Sequence, residues 1–368
     1  MSDAPSLGGK LLVGEAHGSS DGQPLPRVSV VICTHNGEAL LPSVLHHVRE
    51  QSLAAQHVEL LVVDDGSTDR TAEVAAASGV RVISLHPNRG LSAARNAGVE
   101  STSAPIIAFT DDDCEPAEGW LEALLSPFVD STVDGVGGRV ISASSDGLVL
   151  RYIDARNPLA PLGIGVVASS GFSHRLRAYL AGAFGVRRPL EAGAELYTVV
   201  GANMAFRRKL LDELGGFDAT FSRAGDEEDL CRRAHDRPAG ARLVFEPSAV
   251  VAHRFKPELA DTLRRARTYG RAHSQAVGKH PAMRSIVYPF PILTFATAAV
   301  ARFTRRPALA VLSLLIPILG YGRWPAEAWR RRSLEPLVYA YLQLLEETST
   351  MRGELEGLRA RRPRSGEP

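Results

Sequence analysis

A chain of 368 residues, 45% of them apolar, can bury a large core and hold two or three domains. Its formal net charge of +1 excludes a global electrostatic attraction for nucleic acid. The three cysteines, Cys33, Cys114 and Cys231, are scattered without CxxC or zinc spacing and read as reduced thiols.

Residues 1–26 carry Gly, Ser and Pro with only a brief apolar patch at Leu11–Val13, too short for a signal-peptide core. They read as a disordered tail, with the chain expected to start in the cytoplasm. Folding is expected from Arg27. Val28–Cys33 is a β-rich run closed by the turn Thr34-His-Asn-Gly37, and Leu40, Leu41, Val44, Leu45 and Val48 give Glu38–Gln51 helical spacing. Val58–Val63 is a second strand, ending in Asp64-Asp65-Gly66-Ser67-Thr68-Asp69. Thr71–Ala77 reads as a helix, Val80–Leu85 as a third strand, and Asn88–Gly98 as a glycine turn opening a helix. Strands alternating with helices imply an α/β fold with a doubly wound, mostly parallel, Rossmann-like sheet. The polar clusters fall just after strands, at the edge where such sheets bind ligands.

Pro105–Cys114 concentrates the chemistry. Ile106–Phe109 suits a buried strand, and Asp111, Asp112 and Asp113 follow it. Side chains alternate along a strand, so Asp111 and Asp113 leave on one side and Asp112 on the other. Two carboxylates on one side make a hard oxygen pocket for Mg²⁺ or Mn²⁺, typically shared with phosphate oxygens. The competing reading is a solvated acidic turn.

The set V28SVVICTHN36, V62VDDGSTD69, N88RGLSAARNAG98 and F109TDDDC114 resembles the family 2 glycosyltransferases of GT-A fold, in their bacterial membrane-associated form. With the later motifs, the resemblance covers about 27–255. It implies transfer of a sugar from a nucleotide-sugar donor, a UDP-sugar first among them, with a divalent metal, Mn²⁺ or Mg²⁺. It further implies a nucleobase contact at Asp65, with Asp64 serving the same pocket or capping the turn. Thr34 and Asn36 then resemble the pocket wall, and Arg95 a phosphate or ribose contact. Asp113 with Asp111 forms the D-x-D metal pair, and Asp112 reaches the donor ribose or sugar. The simpler reading of the Asp64–Asp69 stretch is a turn with a helix cap, and of Arg95 a solvated helix arginine.

Further along, Trp120–Phe128 reads as a helix and Gly135–Ser142 as a strand. Asp146–Thr198 shows no clean period and is expected to carry acceptor specificity. Its Gly163–Ala168 loosely matches a dinucleotide fingerprint but follows no strand, which excludes that role. In Val199–Arg208, Gly201 and Ala202 allow a close backbone approach to a ligand, and Asn203 is placed to bind donor or acceptor hydroxyls. Leu210–Asp218 reads as a helix stopped by Gly215-Gly216.

Gly225–Arg233 crowds carboxylates at a helix start, where the dipole favours them. It also resembles the family's acidic motif that supplies the catalytic base. Its register selects Glu227, where Asp is commoner, which leaves Asp226 in contention; Asp229 orients the helix or an acceptor contact. His253, closing the strand Ala249–Phe255, either completes the metal site, as the resemblance implies, or is structural.

From Leu259 the composition changes. Arg264, Arg265, Arg267, Arg271, Lys279 and Arg284 accompany only Asp261, and two apolar stretches follow, Ile286–Phe303 and Ala308–Leu319, separated by Arg302, Arg305 and Arg306. The first barely reaches the ~20 residues of a span and the second falls short. The arginine loop belongs on the cytoplasmic side with the catalytic domain, which favours interfacial or re-entrant helices on anionic lipid over spans. Two buried helices packed on the catalytic domain are the alternative. Glu335–Leu358 is a helix suited to self-association, and Arg359–Pro368 a charged tail.

The organisation expected is therefore a tail over 1–26, a GT-A catalytic domain over 27–258 (27–115 for the nucleotide sugar, 116–258 for the acceptor), a basic and apolar helical segment over 259–325, and a helix with a charged tail over 326–368. The expected activity is inverting, metal-dependent glycosyl transfer to a lipid-linked or cell-envelope glycan at the inner face of the cell membrane. A nucleotidyltransferase and a non-catalytic sugar-nucleotide-binding scaffold are the alternatives. The first lacks a glycine-rich phosphate loop with a following lysine, and the second predicts a damaged acidic set.

Overall fold

The computed structural model describes residues 27–53, 57–164, 171–186, 188–280, 283 and 287–361. The expected tail 1–26, positions 165–168 of the rejected fingerprint, Arg284 and residues 362–368 lie outside them.

The catalytic half runs β1 (Val28–Thr34), α1 (Leu41–Arg49), β2 (Val58–Asp64), α2 (Thr71–Ala77), β3 (Arg81–Ser84), α3 (Leu91–Glu100), β4 (Ile106–Asp111) and β5 (Cys114–Pro116). It continues through α4 (Trp120–Leu125), β6 (Gly135–Ser142), α5 (Leu148–Arg156), β7 (Leu162–Gly163), α6 (Phe172–Ala183), β8 (Leu196–Thr198) and β9 (Met204–Arg207). Then come α7 (Arg208–Leu214), α8 (Asp226–His235) and β10 (Leu243–His253). The remainder is helical: α9 (Leu259–Lys279), α10 (Pro289–Thr304), α11 (Pro307–Gly320), α12 (Arg323–Arg331) and α13 (Glu335–Ala360).

One sheet, in the order β3-β2-β1-β4-β9-β6-β10-β5, joins the two expected halves. Its first four strands are parallel. Beyond β4 the sheet is mixed, because β9 runs antiparallel to both β4 and β6, and β5 antiparallel to β10. Every residue of β1 is buried, as a central parallel strand covered on both faces requires. Its side chains alternate accordingly. Val28, Val30 and Ile32 join Leu41, Leu45 and Trp120 on one face, and Val31 and Cys33 join Ala94, Phe109 and Phe217 on the other. Each fully buried Leu or Ile there contributes roughly 1.5–3 kcal/mol.

The strand order reverses at β1, whose neighbours are β2 and β4, with Cys33 level with Asp111. Ligand sites in open α/β sheets form at such a switch point. The helix stop at Gly215-Gly216 is as expected: both adopt left-handed φ, of 71° and 75°, directly after α7.

The basic stretch finds partners within the chain. Arg267 and Arg271 pair with Glu356 on α13, Arg264 with Asp261, and Lys279 with Asp218. These four cations thus meet three carboxylates of the same chain, Glu356 being shared. Helix α9 packs along α13 at the closest range glycine allows: a Cβ on Gly353 would strike the Arg267 carbonyl, and one on Gly270 the Thr350 carbonyl. One face of α13, the helix read as suited to self-association, thus packs on α9 of its own chain, and Val338, Leu345, Leu355 and Leu358 remain exposed. Buried side chains tie α13 further, with Tyr321 donating to Glu347 at 2.8 Å and Trp324 to Gln343 at 2.8 Å.

Among the described residues no single helix is long and apolar enough to cross a membrane; α11 and α12 together would pass by length and composition but are bent by 73°. Helices α10 and α11 expose Leu293, Phe295, Phe303, Val311, Leu314 and Leu319, with Phe303 92% exposed.

Candidate functional site

Three strand ends and a roof helix surround a cleft of about 790 Å³. Its floor comes from the ends of β1 and β2 and from the loop before α3, at Thr34, Asp65, Asn88 and Gly90. Its far wall comes from Asp113, His253 and α9, through Arg265 and Tyr269.

The acidic triplet splits as its alternation predicts. Asp112 turns toward β1 and accepts from the Thr34 hydroxyl at 2.5 Å. Burial pushes its carboxyl up to about 7; the Thr34 hydrogen bond opposes this, and the neighbouring charges of Asp113 and Asp111 reinforce it. A side chain at Gly37 would collide with both partners. On the other side, ligand atoms of Asp111, Asp113, Cys114 and His253 lie within 4.8 Å of one another. The antiparallel pairing of β5 with β10 sets His253 opposite Cys114, and the Arg254 amide donates to the Asp113 carbonyl at 2.8 Å.

These residues fit a divalent cation. Burial pushes Asp113 up to about 7, helped by the charge of Asp111, a repulsion that a cation would relieve. Burial also holds His253 down to about 4, so its ring is neutral with a lone pair to offer. Its Nδ1 is buried with no hydrogen-bond partner, and its Nε2 lies 3.4 Å from Asp113. Cys114 does not suit a hard cation: burial keeps it a thiol, and it donates to Asp113 at 3.8 Å.

The acidic helix start is sorted by charge pairing. Asp226 is fully buried and accepts from Arg95 Nη1 at 2.6 Å, while Arg95 Nη2 reaches Asp111 at 3.4 Å. Burial opposes the Arg95 charge, but Asp226 and Asp111 outweigh it and hold the guanidinium above its usual range. A side chain at Gly201 would strike this guanidinium, so the close approach expected there is to Arg95. Glu227 is half-buried. Burial and then the charge of Asp226 push it up to about 8, with Arg95 opposing. A carboxyl tuned near neutrality suits a general base. Its charge, with those of Asp111 and Asp113, also bears on the Tyr269 hydroxyl, which burial chiefly raises. Asp229 accepts from Arg233 at 2.8 Å and meets His280 at 2.8 Å, so it holds α8 to its surroundings.

Five of the predicted side chains, Asp64 in its expected role as a turn cap among them, have partners within the chain. Arg95, expected at a phosphate or ribose, is buried in its pairs with Asp226 and Asp111. Asn203 is fully buried, accepting from Trp120 at 2.9 Å and donating to the carbonyls of Arg139 and Ala249 at 2.9 and 2.8 Å, which leaves nothing for a sugar hydroxyl. Asn36 takes the Thr68 amide at 2.8 Å, and Asp64 takes the Ser67 amide at 3.0 Å as a turn cap. Asp65 lines the cleft floor, but its carboxylate also accepts the amides of Arg89 and Gly90 at 2.7 and 2.8 Å, which shapes the loop before α3.

Sequence reasoning missed the roof. Arg223, Phe255, Lys256, Arg265 and Tyr269 line the cleft. The signal was present in Arg254 and Lys256, directly after His253, and in Arg264-Arg265, which composition alone assigns to lipid.

Residues 29–215 match the model of glycosyl transferase family 2, and residues 168–341 that of glycosyl transferase family group 2. The pre-mycofactocin glycosyltransferase of Mycobacterium tuberculosis is 30% identical over 257 residues, which are 69% of this chain and 48% of that protein. The glucosyl-dolichyl phosphate glucuronosyltransferase of Haloferax volcanii is 27% identical over 246 residues, covering 62% and 69%. The chain thus spans about half the length of the mycobacterial relative. In fold it resembles the mannosyltransferase PcManGT of Pyrobaculum calidifontis, solved with GDP-Man and Mn²⁺, at a TM-score of 0.58 and 21% identity over 92% of this chain and 89% of that one. With its strand-end motifs, its Asp111, Asp113 and His253 group and a family match across half its length, the chain belongs to the family 2 glycosyltransferases and carries their GT-A fold.

Proposed function

We propose that this glycosyltransferase moves a sugar from a metal-bound nucleotide-sugar donor to an acceptor hydroxyl with inversion at the anomeric carbon. The observation that carries the reading is the Asp111, Asp113 and His253 donor set, linked through Arg95, which meets both Asp111 and Asp226, to the acidic helix start that bears Glu227. Asp111, Asp113 and His253 would hold Mn²⁺ or Mg²⁺, which when bound supplies Lewis-acid stabilisation of the diphosphate. Glu227 takes the acceptor proton as the hydroxyl oxygen attacks, its basicity raised by burial and then by the charge of Asp226. One base on one side of the sugar supports in-line displacement, hence inversion.

The acceptor is a lipid-linked or cell-envelope glycan, and the enzyme works on the cytoplasmic face of the membrane. The exposed apolar surface of α10 and α11, with Arg302, Arg305 and Arg306 between them, supports a peripheral or monotopic seat on anionic lipid. The dolichyl phosphate in the archaeal relative's name points the same way.

Binding and hydrolysis of UDP- and GDP-sugars, measured with Mn²⁺, Mg²⁺ or EDTA, test the reaction. The expected result is metal-dependent binding of one donor, lost in Asp113→Ala, with turnover but not binding lost in Glu227→Gln. Wild type that binds no nucleotide sugar under any metal condition overturns the proposal.

A further inference from the structure

Three helix ends meet at one junction beside the acceptor half, and none of the residues that form it lines the cleft. Arg323, at the start of α12, donates through Nη2 to the Ala155 carbonyl at 2.7 Å, near the end of α5. The end of α6 closes on the same place: a side chain at Gly322 would strike the Phe184 ring, and one at Gly185 would press on Arg323. The junction thus holds Arg323 beside Ala155 and Arg156.

Both guanidiniums are poorly paired. Among the described residues Arg323 has no carboxylate within ion-pair distance, while Glu327 on its own helix is taken by Arg330 and Arg331. Arg156 has only Glu346, at 3.9 Å, which also accepts from the Tyr152 hydroxyl. The Arg156 Nε is buried without a hydrogen-bond partner, although 32% of the side chain is exposed. Burial, and then the charge of Arg156, holds Arg323 down to about 10. An anion that meets both cations relieves this repulsion, and the planar guanidinium fork suits the oxygens of a phosphate.

The surroundings identify the source of that phosphate. Val186, next to Gly185, is 70% exposed, and Leu319, three residues before Gly322, is 64% exposed; the Phe184 ring is exposed as well. Leu319 belongs to α11, so this apolar rim continues the surface of α10 and α11. Residues 171–188 carry four arginines and no Asp or Glu. Cations bordered by exposed apolar side chains match a lipid headgroup whose acyl chains lie alongside.

We propose that Arg156 and Arg323 bind the phosphate of an anionic phospholipid, with its acyl chains against Phe184, Val186 and Leu319. The inference deepens the membrane seat proposed for α10 and α11 and rests on it. It makes α6 a second contact with the bilayer. Segment 146–198, to which α5 and α6 belong, is thereby held against the lipid surface.

The test titrates dihexanoyl phosphatidylglycerol, dihexanoyl phosphatidylcholine and inorganic phosphate into the full chain, with both lipids below their micelle-forming concentrations. Wild type is compared with Arg156→Gln plus Arg323→Gln, with Arg323→Lys, and with Val186→Ser plus Leu319→Ser, each checked for an unchanged melting transition. Co-sedimentation with phosphatidylglycerol vesicles is run alongside. Wild type should prefer phosphatidylglycerol, and the Gln pair should weaken its binding roughly ten- to a hundredfold. Arg323→Lys should fall between; it keeps the charge and a donor for Ala155, and carries the test if the Gln pair unfolds. The Ser pair should weaken the lipid severalfold and leave inorganic phosphate unchanged.

Equal phosphatidylglycerol binding by wild type and the Arg variants overturns the inference; vesicle binding by wild type then leaves the seat on α10 and α11 standing. Inorganic phosphate bound as tightly as the lipid, with the Ser pair unaffected, overturns the lipid assignment in favour of free phosphate. Wild type that sediments with no vesicle overturns the seat and the inference together.

Discussion

The Arg95 guanidinium donates to Asp226 at 2.6 Å, with only 3% of one side chain and none of the other exposed. The pair joins α3 to the start of α8, and Arg95 also reaches Asp111 at 3.4 Å, so one cation ties the acidic helix to the end of β4. Breaking a buried pair by removing one charge leaves the other uncompensated. Asp226→Asn should therefore cost roughly 3–5 kcal/mol in urea unfolding, and the double variant Arg95→Met with Asp226→Leu less than the sum of the single changes. A loss below about 1 kcal/mol for Asp226→Asn would show the pair to be incidental.

Glu227 is the base of this scheme, and its environment sets the pH response. Burial and Asp226 raise its carboxyl from 4.5 to about 8, so the rate should climb with pH along a limb centred near 8. Glu227→Gln should lower kcat roughly a hundred- to ten-thousandfold and leave nucleotide binding in place. Asp226→Asn removes the neighbouring negative charge and should move the limb to lower pH. A limb that stays put in that variant would rule out Asp226 as the residue that tunes Glu227.

Glu354, on α13 beneath the acidic helix, has a buried carboxyl oxygen without a hydrogen-bond partner. Burial pushes it from 4.5 up to about 7; His273 opposes this and Glu228 adds to it. The folded protein keeps a proton that the unfolded chain releases above 4.5. The stabilisation from this group is therefore full below 4.5 and is lost as pH rises through about 7. Glu354→Gln should flatten the decline in melting temperature across that window and leave the variant the more stable form above it. Parallel wild-type and variant curves would refute this assignment.

The apolar surface of α10 and α11 makes a separate, physical prediction. Wild type should co-sediment with vesicles containing anionic lipid, and more weakly at high salt, because Arg302, Arg305 and Arg306 add a screened attraction. Phe303→Asp with Leu314→Asp should leave the protein in the supernatant with its nucleotide binding intact. Wild type that ignores anionic vesicles would refute a lipid seat for this surface.

Much of the fold could be read from local pattern. Apolar runs placed β1, β2, β4 and β6 because a strand buried on both faces reads as continuous hydrophobicity. Polar clusters after those runs marked the ligand edge, and alternation alone separated Asp112 from Asp111 and Asp113. Segment 146–198 resisted reading because α5 and α6 bury their apolar residues against distant helices. Tyr152, for example, lies among Trp324 and Tyr339, far away in sequence.

By itself the sequence determined the strand-and-helix alternation, the carboxylate motifs at the strand ends and the acidic helix start, since each depends on neighbours within a few residues. The tertiary structure alone decided which charges meet. The β5–β10 register brings His253 to Asp113, and a long-range pair spends Arg95 on Asp226 where a phosphate contact was expected. Packing against α13 turns α9 into the roof of the cleft, and hydrogen bonds to Trp120 and two distant carbonyls consume Asn203. An ionisable or amide side chain takes its role from the partner that satisfies it, and that partner is chosen by strand order and helix packing across the whole chain.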